Sequence, residues 1–211
     1  MAVLGDISDS GEYSELEKAK NILDGLNYDM DGDGEFDMVY VPVIGNHDVW
    51  SYTQESEASH PLPSFFQEIF HEQFELLNDY FGDENWDKQP GIVHQNYAFT
   101  CGDVQFICLD FAPRDGVAQL LGLAKLHDET LAWLTNSLEA DQPTVIFSHY
   151  PLIDFTVIEE NLVERGSFNP LDIVTIDEAI KISQADVLAN FAGHVHGYYD
   201  PDKLFLPDAP P

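Results

Sequence analysis

The stretch Gly45-Asn46-His47-Asp48 decides the fold because it directly follows an apolar run, Met38-Val39-Tyr40-Val41-Pro42-Val43-Ile44. A β-branched run of this length predicts a buried strand, and a glycine at its end predicts a sharp turn. The chain then presents an amide, an imidazole and a carboxylate at the tip of a strand. Since ligands in open α/β sheets bind outside the carboxyl ends of the strands, this tip is a candidate binding site.

Three further stretches share this pattern of an apolar strand that runs into a polar loop. They are Val3-Leu4-Gly5-Asp6, Val145-Ile146-Phe147-Ser148-His149 and Phe191-Ala192-Gly193-His194-Val195-His196. Strands alternate with helical patterns along the chain, which predicts a layered α/β fold. We expect the polar residues at the strand ends to project from one edge into a common site. The candidates are Asp6, Asn46, His149, His194 and His196.

Helices are predicted in four parts of the chain. Ser14 is expected to cap the first helix, and Glu17, three residues later, would complete a capping box. Helical spacing of apolar residues predicts further helices over 64–81, within 121–138 and over 176–182.

A hairpin is predicted around the turn Gly102-Asp103. In this register Cys101 lies opposite Val104, and Cys108 lies opposite Tyr97. The two thiols would not be cross-strand partners, so we expect no disulfide between them.

The composition limits the class of protein. The chain has 211 residues, 44% of them hydrophobic, which suits one folded domain over 1–211. No apolar run reaches the ~20 residues needed to span a bilayer. The first residues lack the basic and apolar segments of a signal peptide, so we expect neither a signal peptide nor a membrane segment.

The charge is strongly acidic, with 39 Asp and Glu residues against 8 Lys and Arg residues and a formal net charge of −31. Such a surface would repel nucleic-acid phosphates and anionic membranes, so general nucleic-acid binding is disfavoured. Salt would screen the self-repulsion, which favours a high-salt habitat. The alternative is an ordinary acidic protein whose charges lie on solvated faces, and the compartment stays open.

An acidic loop over 29–37 matches the first nine positions of a calcium-binding loop. Glycine stands at position 6 for the tight turn, and carboxylates fall at positions 1, 3, 5 and 9, which are Asp29, Asp31, Asp33 and Asp37. Position 12 is Tyr40 instead of a bidentate Glu, and a strand follows instead of a helix. We favour a calcium site here, and an acidic connector is the alternative.

The five candidates at the strand ends combine oxygen and imidazole nitrogen donors. This mixture suits Mn, Fe, Zn or related divalent ions. His194 and His196, separated by one residue, can bind one metal or two, and a carboxylate can bridge two metals ~3.5–4 Å apart. Isolated histidines are more often surface or core residues, and we assign this role to His60, His71, His94 and His127.

The sequence resembles the calcineurin-like metallophosphoesterases. The matching motifs follow the family's order and are Gly5-Asp6, Gly45-Asn46-His47-Asp48, His149 after an apolar strand, and Gly193-His194-Val195-His196. The resemblance implies a four-layer α/β/β/α sandwich with two divalent metals. It also implies hydrolysis of a phosphomonoester or phosphodiester in a small-molecule or peptide substrate.

The resemblance also assigns a role to each motif residue. Asp6 would bridge the two metals and His196 would help to hold the first, while the ligands of the second would be Asn46, His149 and His194. A metal-bound hydroxide would attack phosphorus. His47 would donate a proton to the leaving oxygen, steadied by Asp48.

One motif of the family is absent. The family opens with an Asp-x-His motif on a preceding strand, whereas this sequence starts shortly before Asp6. The first metal would keep only Asp6 and His196, and the sandwich would be incomplete at both ends. We expect a fragment of a longer phosphoesterase. The alternative is a non-catalytic domain for metal binding or interaction, and the substrate and the oligomeric state stay open.

Overall fold

The expected alternation of strands and helices is present in the computed structural model, which describes residues 1–49, 65–91, 93–114, 123–152 and 168–194. The strands are β1 (Ala2–Leu4), β2 (Val41–Val43), β3 (Trp86–Lys88), β4 (Tyr97–Cys101), β5 (Val104–Leu109), β6 (Pro143–Ser148) and β7 (Asp186–Ala192). The helices are α1 (Tyr13–Leu23), α2 (Phe65–Ile69), α3 (His71–Phe81), α4 (Asp128–Ser137) and α5 (Pro170–Ile182). Short 3₁₀ turns cover Asp24–Leu26 and His47–Val49.

The described strands form two sheets. β1 and β2 pair in parallel, and the other five strands follow the order β3-β4-β5-β6-β7. In the larger sheet β3, β4 and β5 are antiparallel neighbours, whereas β5, β6 and β7 run parallel. The carboxyl ends of β5, β6 and β7 therefore lie at one edge of this sheet, together with the beginning of β4.

The strand β5 in the middle of the five-stranded sheet has buried side chains on both faces, since successive side chains of a strand point to opposite sides. Along β5, Ile107 and Leu109 belong to a core shared with α4 and α5. Cys108 and the partly buried Phe106 belong to a second core, which contains residues of β2 and of the helices α1, α2 and α3. The fold is mixed α/β and consistent with the metallophosphoesterase fold, while the order of four layers stays a prediction.

A row of phenylalanine rings crosses the larger sheet on the side of the second core. Successive ring centroids are 4.2, 5.1, 5.8 and 5.9 Å apart along the series Phe81, Phe99, Phe106, Phe147 and Phe191. Packing between neighbouring strands on one face is the main source of sheet stability. The row therefore helps to hold β4 to β7 in register, which keeps their ends level at the edge.

The first helix begins differently from the prediction. It begins at Tyr13, and its N-cap is Glu12, whose side chain makes no capping bond, so Ser14 lies inside the helix. The carboxylate of Glu15 accepts bonds from the amide (2.9 Å) and hydroxyl (2.8 Å) of Ser10. The predicted capping box of Ser14 and Glu17 is therefore wrong, because Glu15 already binds the preceding loop.

The helix predicted within 121–138 is present at Asp128–Ser137. Two other helices differ from the prediction. The segment 64–81 contains two helices that are separated at Phe70, and its first residue lies outside the described residues. The last helix begins earlier than predicted, at Pro170, because the side chain of Asn169 accepts a bond from the amide of Leu171 at 3.0 Å. Such a cap is a standard start for a helix.

The hairpin has the predicted register. Tyr97 pairs with Cys108 and Cys101 pairs with Val104 across β4 and β5. Both cysteines are free thiols, as expected.

The longest described helix, α5, has 13 residues. None of the helices in the described part of the chain is both long and apolar enough to cross a membrane.

Candidate metal centre

Four of the predicted site residues converge where strands end: Asp6 after β1, Asn46 after β2, His149 after β6 and His194 after β7. Nε2 of His149 lies 3.1 Å from Oδ2 of Asp6 and 3.2 Å from Oδ1 of Asn46. Nδ1 of His194 is 3.1 Å from Nε2 of His149 and 3.1 Å from Oδ1 of Asn46. The fifth candidate, His196, lies outside the described residues.

The spacing of these four atoms can be compared with that of ligands around an ion. Ligands about 2.0–2.1 Å from a metal lie roughly 3.3–3.4 Å apart in a tetrahedral site and roughly 2.8–3.0 Å apart in an octahedral site. The observed separations of 3.1 to 3.2 Å lie between these values. A divalent ion therefore fits among the four donors, although their role as ligands stays a prediction.

The protonation of His149 supports the same fit. Its Nδ1 is 2.8 Å from the carbonyl oxygen of Leu4, which can only accept, so this nitrogen carries the hydrogen. In the neutral ring Nε2 then presents a lone pair to the oxygens of Asp6 and Asn46. Lone pairs that face each other repel unless a proton or a metal ion lies between them. Orientation of a histidine by a backbone carbonyl is also typical of metal ligands.

The electrostatics of the pair Asp6 and His149 favour a cation. Burial alone would raise the pKa of Asp6, but the hydrogen bond and charge of His149 outweigh it, so this pKa is lowered. Burial likewise opposes protonation of His149, yet the bond to Asp6 and the charge of Asp6 raise its pKa above the ordinary value. Positive charge is therefore stabilised at the point where the four donors meet.

Three motif glycines let the strand ends approach one another. A Cβ on Gly5 would lie 2.5 Å from Nδ1 of His149, and a Cβ on Gly45 would lie 2.3 Å from the backbone nitrogen of Asp6. A Cβ on Gly193 would lie 2.9 Å from the carbonyl oxygen of Leu4. Gly5 also has a φ of +83°, which L side chains rarely adopt. The glycines thus make the convergence of the donors possible.

Two of the donors have unusual backbone angles. Asp6 has a φ of 51° and His194 has a φ of 65°, and they are the only non-glycine residues with positive φ in the described part of the chain. Such conformations are unfavourable and tend to cluster at functional sites, where the surrounding structure holds them.

His47 lies beside the four donors. Its backbone amide donates to Oδ1 of Asp6 at 3.0 Å, and its ring Nδ1 is 2.5 Å from the carbonyl oxygen of Asp9. Because that carbonyl only accepts, Nδ1 carries a hydrogen, and the backbone of Asp9 orients the ring. The sequence contained no signal for this contact, since any residue at position 9 supplies a carbonyl.

Asp48 is expected to steady His47, which stays a prediction, and its carboxylate accepts hydrogen bonds from two residues of the neighbouring loops. Oδ1 accepts bonds from the amide (2.9 Å) and hydroxyl (3.2 Å) of Ser8, and Oδ2 accepts a bond from the amide of Gly45 at 2.9 Å. Burial raises the pKa of Asp48 to about 6, although the amides of Gly45 and Ser8 lower it. Ser8 was not among the predicted site residues, because a serine in a loop is common and its partner is 40 positions away.

In the acidic loop, aspartate carboxylates accept hydrogen bonds from backbone amides of the same loop. Asp29 accepts bonds from the amides of Gly32 (2.6 Å) and Gly34 (2.9 Å), and the Gly34 bond contributes most to the lowered pKa of Asp29. One carboxylate oxygen from each of Asp29, Asp31 and Asp37 falls within a cluster 4.8 Å across. Tyr40 is fully buried and donates its hydroxyl to Asp24 at 3.0 Å, so it does not complete the loop.

A second polar cluster lies at the same edge of the larger sheet. The guanidinium of Arg114 is 2.6 Å from Oδ2 of Asp110, and both side chains are buried. The rings of His94 and His127 lie against each other near this pair, with centroids 4.1 Å apart and planes tilted by 33°. Burial and the neighbouring His94 lower the pKa of His127 to about 4, so its ring is neutral. These two histidines are partly buried, as expected of residues with a structural role.

The other two isolated histidines were expected to be structural as well. His71 is exposed on α3 and lies 3.2 Å from Glu75, whereas His60 lies outside the described residues.

Residues 1–198 match a family model described as calcineurin-like phosphoesterase. A comparison with curated proteins found no match to the chain. The matched family implies metal-dependent hydrolysis of phosphoesters.

Proposed function

Since the chain belongs to the calcineurin-like phosphoesterase family, we propose that it hydrolyses a phosphoester at the site where four strand ends meet. The observation that carries the proposal is a connected set of four contacts of 3.1 to 3.2 Å between donor atoms, which joins Asp6, Asn46, His149 and His194. Carboxylate, amide and imidazole donors suit Mn, Fe or Zn. His196, which lies outside the described residues, would join these four residues in holding a second divalent ion, as the family resemblance implies.

When bound, divalent ions at this site supply positive charge to the phosphoryl oxygens and make water more acidic. The chain's own residues position the reacting groups. His149 is oriented by the carbonyl of Leu4, which leaves its Nε2 at the site. His47, oriented through Nδ1 by the carbonyl of Asp9, would act as the imidazolium, which gives the proton on Nε2 to the leaving oxygen and becomes the neutral Nδ1–H ring. The substrate is a small-molecule or peptide phosphoester.

A non-catalytic metal-binding domain is the second candidate. The same contacts among the four donors support it, because they require only that a metal be bound there. The two candidates differ in one measurable respect. Both bind metal at the four donors, but only the enzyme turns over a phosphoester.

Removal of one donor tests the proposal. We expect the purified chain to retain Mn²⁺ or Zn²⁺ after dialysis and to hydrolyse an aryl phosphate, and we expect His149→Ala to lose both properties. The loss in metal affinity should exceed the roughly 10–100-fold effect of removing an outer hydrogen-bond partner of a ligand. Elemental analysis and release of the aryl alcohol are the measurements. His71→Ala, which changes an exposed histidine on α3, is the matched control and should behave as wild type.

Each result of this experiment has a consequence. Metal retained by His149→Ala at the wild-type level would place the metal elsewhere. Metal bound by the wild type without any turnover of aryl monoesters or diesters would overturn the hydrolase in favour of the non-catalytic domain.

We also propose that calcium binds the acidic loop over 29–37. Calcium that binds only the folded loop stabilises the chain by about 2.7 kcal/mol at one hundred times its dissociation constant. Thermal melting at fixed high salt, with calcium or with EDTA, measures the effect, which should be roughly 5–11 °C. Asp31→Asn/Asp33→Asn should abolish the shift. Glu139→Gln/Asp141→Asn removes two exposed charges elsewhere and should retain it. Equal calcium shifts in the two double variants would make the loop an acidic connector.

A further inference from the structure

The carboxylate of Asp48 connects two loops that each carry a candidate metal ligand. One loop, after β1, contains Asp6 and Ser8, and the other, after β2, contains Asn46 and Asp48. Asp48 is fully buried and accepts three hydrogen bonds, two from Ser8 and one from Gly45. A buried carboxylate is unfavourable unless donors surround it, and these three donors meet that need.

The connection extends to the beginning of α1. The hydroxyl of Ser8 donates to Asp48 at 3.2 Å and accepts from the amide of Gly11 at 3.0 Å. Since the hydroxyl donates one bond and accepts another, it links the loop before α1 to the carboxylate in the other loop. We call this set of contacts between Ser8, Gly11, Gly45 and Asp48 the loop clamp.

The loop clamp lies next to the donors of the candidate metal centre. Ser8 follows Asp6 by two residues, and Asp48 follows Asn46 by two residues. Asp6 has the unfavourable φ of 51°, so its loop needs contacts from outside to keep this conformation. The amide of His47, in the second loop, also donates to Oδ1 of Asp6 across this gap, at 3.0 Å.

We propose that Ser8 and Asp48 are positioning residues, which set the separation of the Asp6 and Asn46 oxygens and thereby the affinity and geometry of the metal centre. Asp48 is fully buried and its oxygens face amides and a hydroxyl, so it acts through the loops and not on a substrate. The inference rests on the proposed function, because it requires the four donors to bind a metal.

Cobalt binding to the full chain tests the inference. Ser8→Ala removes the hydroxyl but leaves the amide bond to Asp48, and we expect about 10–100-fold weaker Co²⁺ binding, the usual effect of losing an outer partner. Asp48→Asn places an NH₂ group against a backbone amide, and we expect a loss at the upper end of this range or beyond. Both variants should also change the visible absorption of bound Co²⁺, because the coordination geometry changes. Dissociation constants and spectra are measured on folded protein.

A variant of similar chemistry elsewhere separates positioning from general stability. Thr130→Ala removes a buried hydroxyl on α4 that accepts a bond from the side-chain amide of Asn96 at 3.0 Å. We expect it to lower the melting temperature and to leave the Co²⁺ affinity and spectrum unchanged. Ser8→Thr retains the hydroxyl and should restore most of the affinity lost in Ser8→Ala.

The outcomes distinguish this inference from the proposed function. If the wild type binds Co²⁺ and Ser8→Ala binds it with the same affinity and spectrum, the inference is overturned and the proposed function stands. If Thr130→Ala weakens Co²⁺ binding as much as Ser8→Ala does, the effect is general stability and the inference is again overturned. If the wild type binds no Co²⁺, the inference and the proposed function are both overturned. If Asp48→Asn does not fold, the Co²⁺ affinity and spectrum of Ser8→Ala alone decide whether the inference holds.

Discussion

Replacement of Gly45 by alanine is expected to destabilise the folded chain by about 3 kcal/mol or more and to abolish metal binding. The new Cβ would lie 2.3 Å from the backbone nitrogen and 2.3 Å from Oδ1 of Asp6. A backbone atom cannot move aside as the end of a flexible side chain can, so the loops after β1 and β2 would have to separate. Overpacking usually costs about 1–3 kcal/mol, and this contact lies at the severe end of that range.

Thermal melting and metal retention measure the effect of Gly45→Ala. For a chain of this size each kcal/mol shifts the midpoint by roughly 2–4 °C, so we expect a decrease of at least about 6 °C. Gly25→Ala is the matched control, because a Cβ on Gly25 meets no atom within 4 Å. It should leave the midpoint unchanged or raise it slightly, since alanine restricts the unfolded chain. A Gly45→Ala variant that melts within 2 °C of wild type and keeps its metal would show that the two loops do not need this close approach.

The convergence of the site could be predicted from the sequence because it follows from local patterns. An apolar run that ends in glycine and a polar residue predicts a strand with a polar tip, and four such runs occur. Parallel strands bring their tips to one edge of a sheet, which places Asp6 beside Asn46 and His149 beside His194, and the contacts of His149 with Asp6 and Asn46 join the two sheets. The register of the hairpin followed from its two-residue turn in the same way.

The contacts that orient the site could not be predicted, because they join residues far apart in sequence. Ser8 and Asp48 are 40 positions apart, and His149 and Leu4 are 145 apart. The latter contact uses a carbonyl group, which every residue has, so the identity of Leu4 carries no signal. The first helix differs for a local reason: Ser14 has the chemistry of a cap, but Glu15 binds Ser10, five residues before it, and the helix begins at Tyr13.

The second large effect is expected at His47 and depends on the substrate. For a phosphoester with a poor alkyl leaving group, His47→Ala should lower kcat/KM by roughly 10²–10⁴-fold, the typical contribution of a positioned proton donor. This loss corresponds to about 3–5 kcal/mol of barrier. For an activated aryl phosphate the loss should be below about tenfold, because that leaving group departs without a proton. Both values are measured on the same metal-loaded preparations.

Metal content separates loss of the proton donor from damage to the site. The alanine variant keeps the backbone amide that donates to Oδ1 of Asp6 at 3.0 Å, and the ring of His47 is not one of the four converging donors. We therefore expect metal binding to be unchanged, and His71→Ala should match wild type in both rate and metal content. An equal loss of rate for alkyl and aryl substrates would remove His47 from the role of proton donor. A loss of metal would instead place its ring among the ligands, since the contact of Nδ1 with the carbonyl of Asp9 leaves only Nε2 to reach the ion.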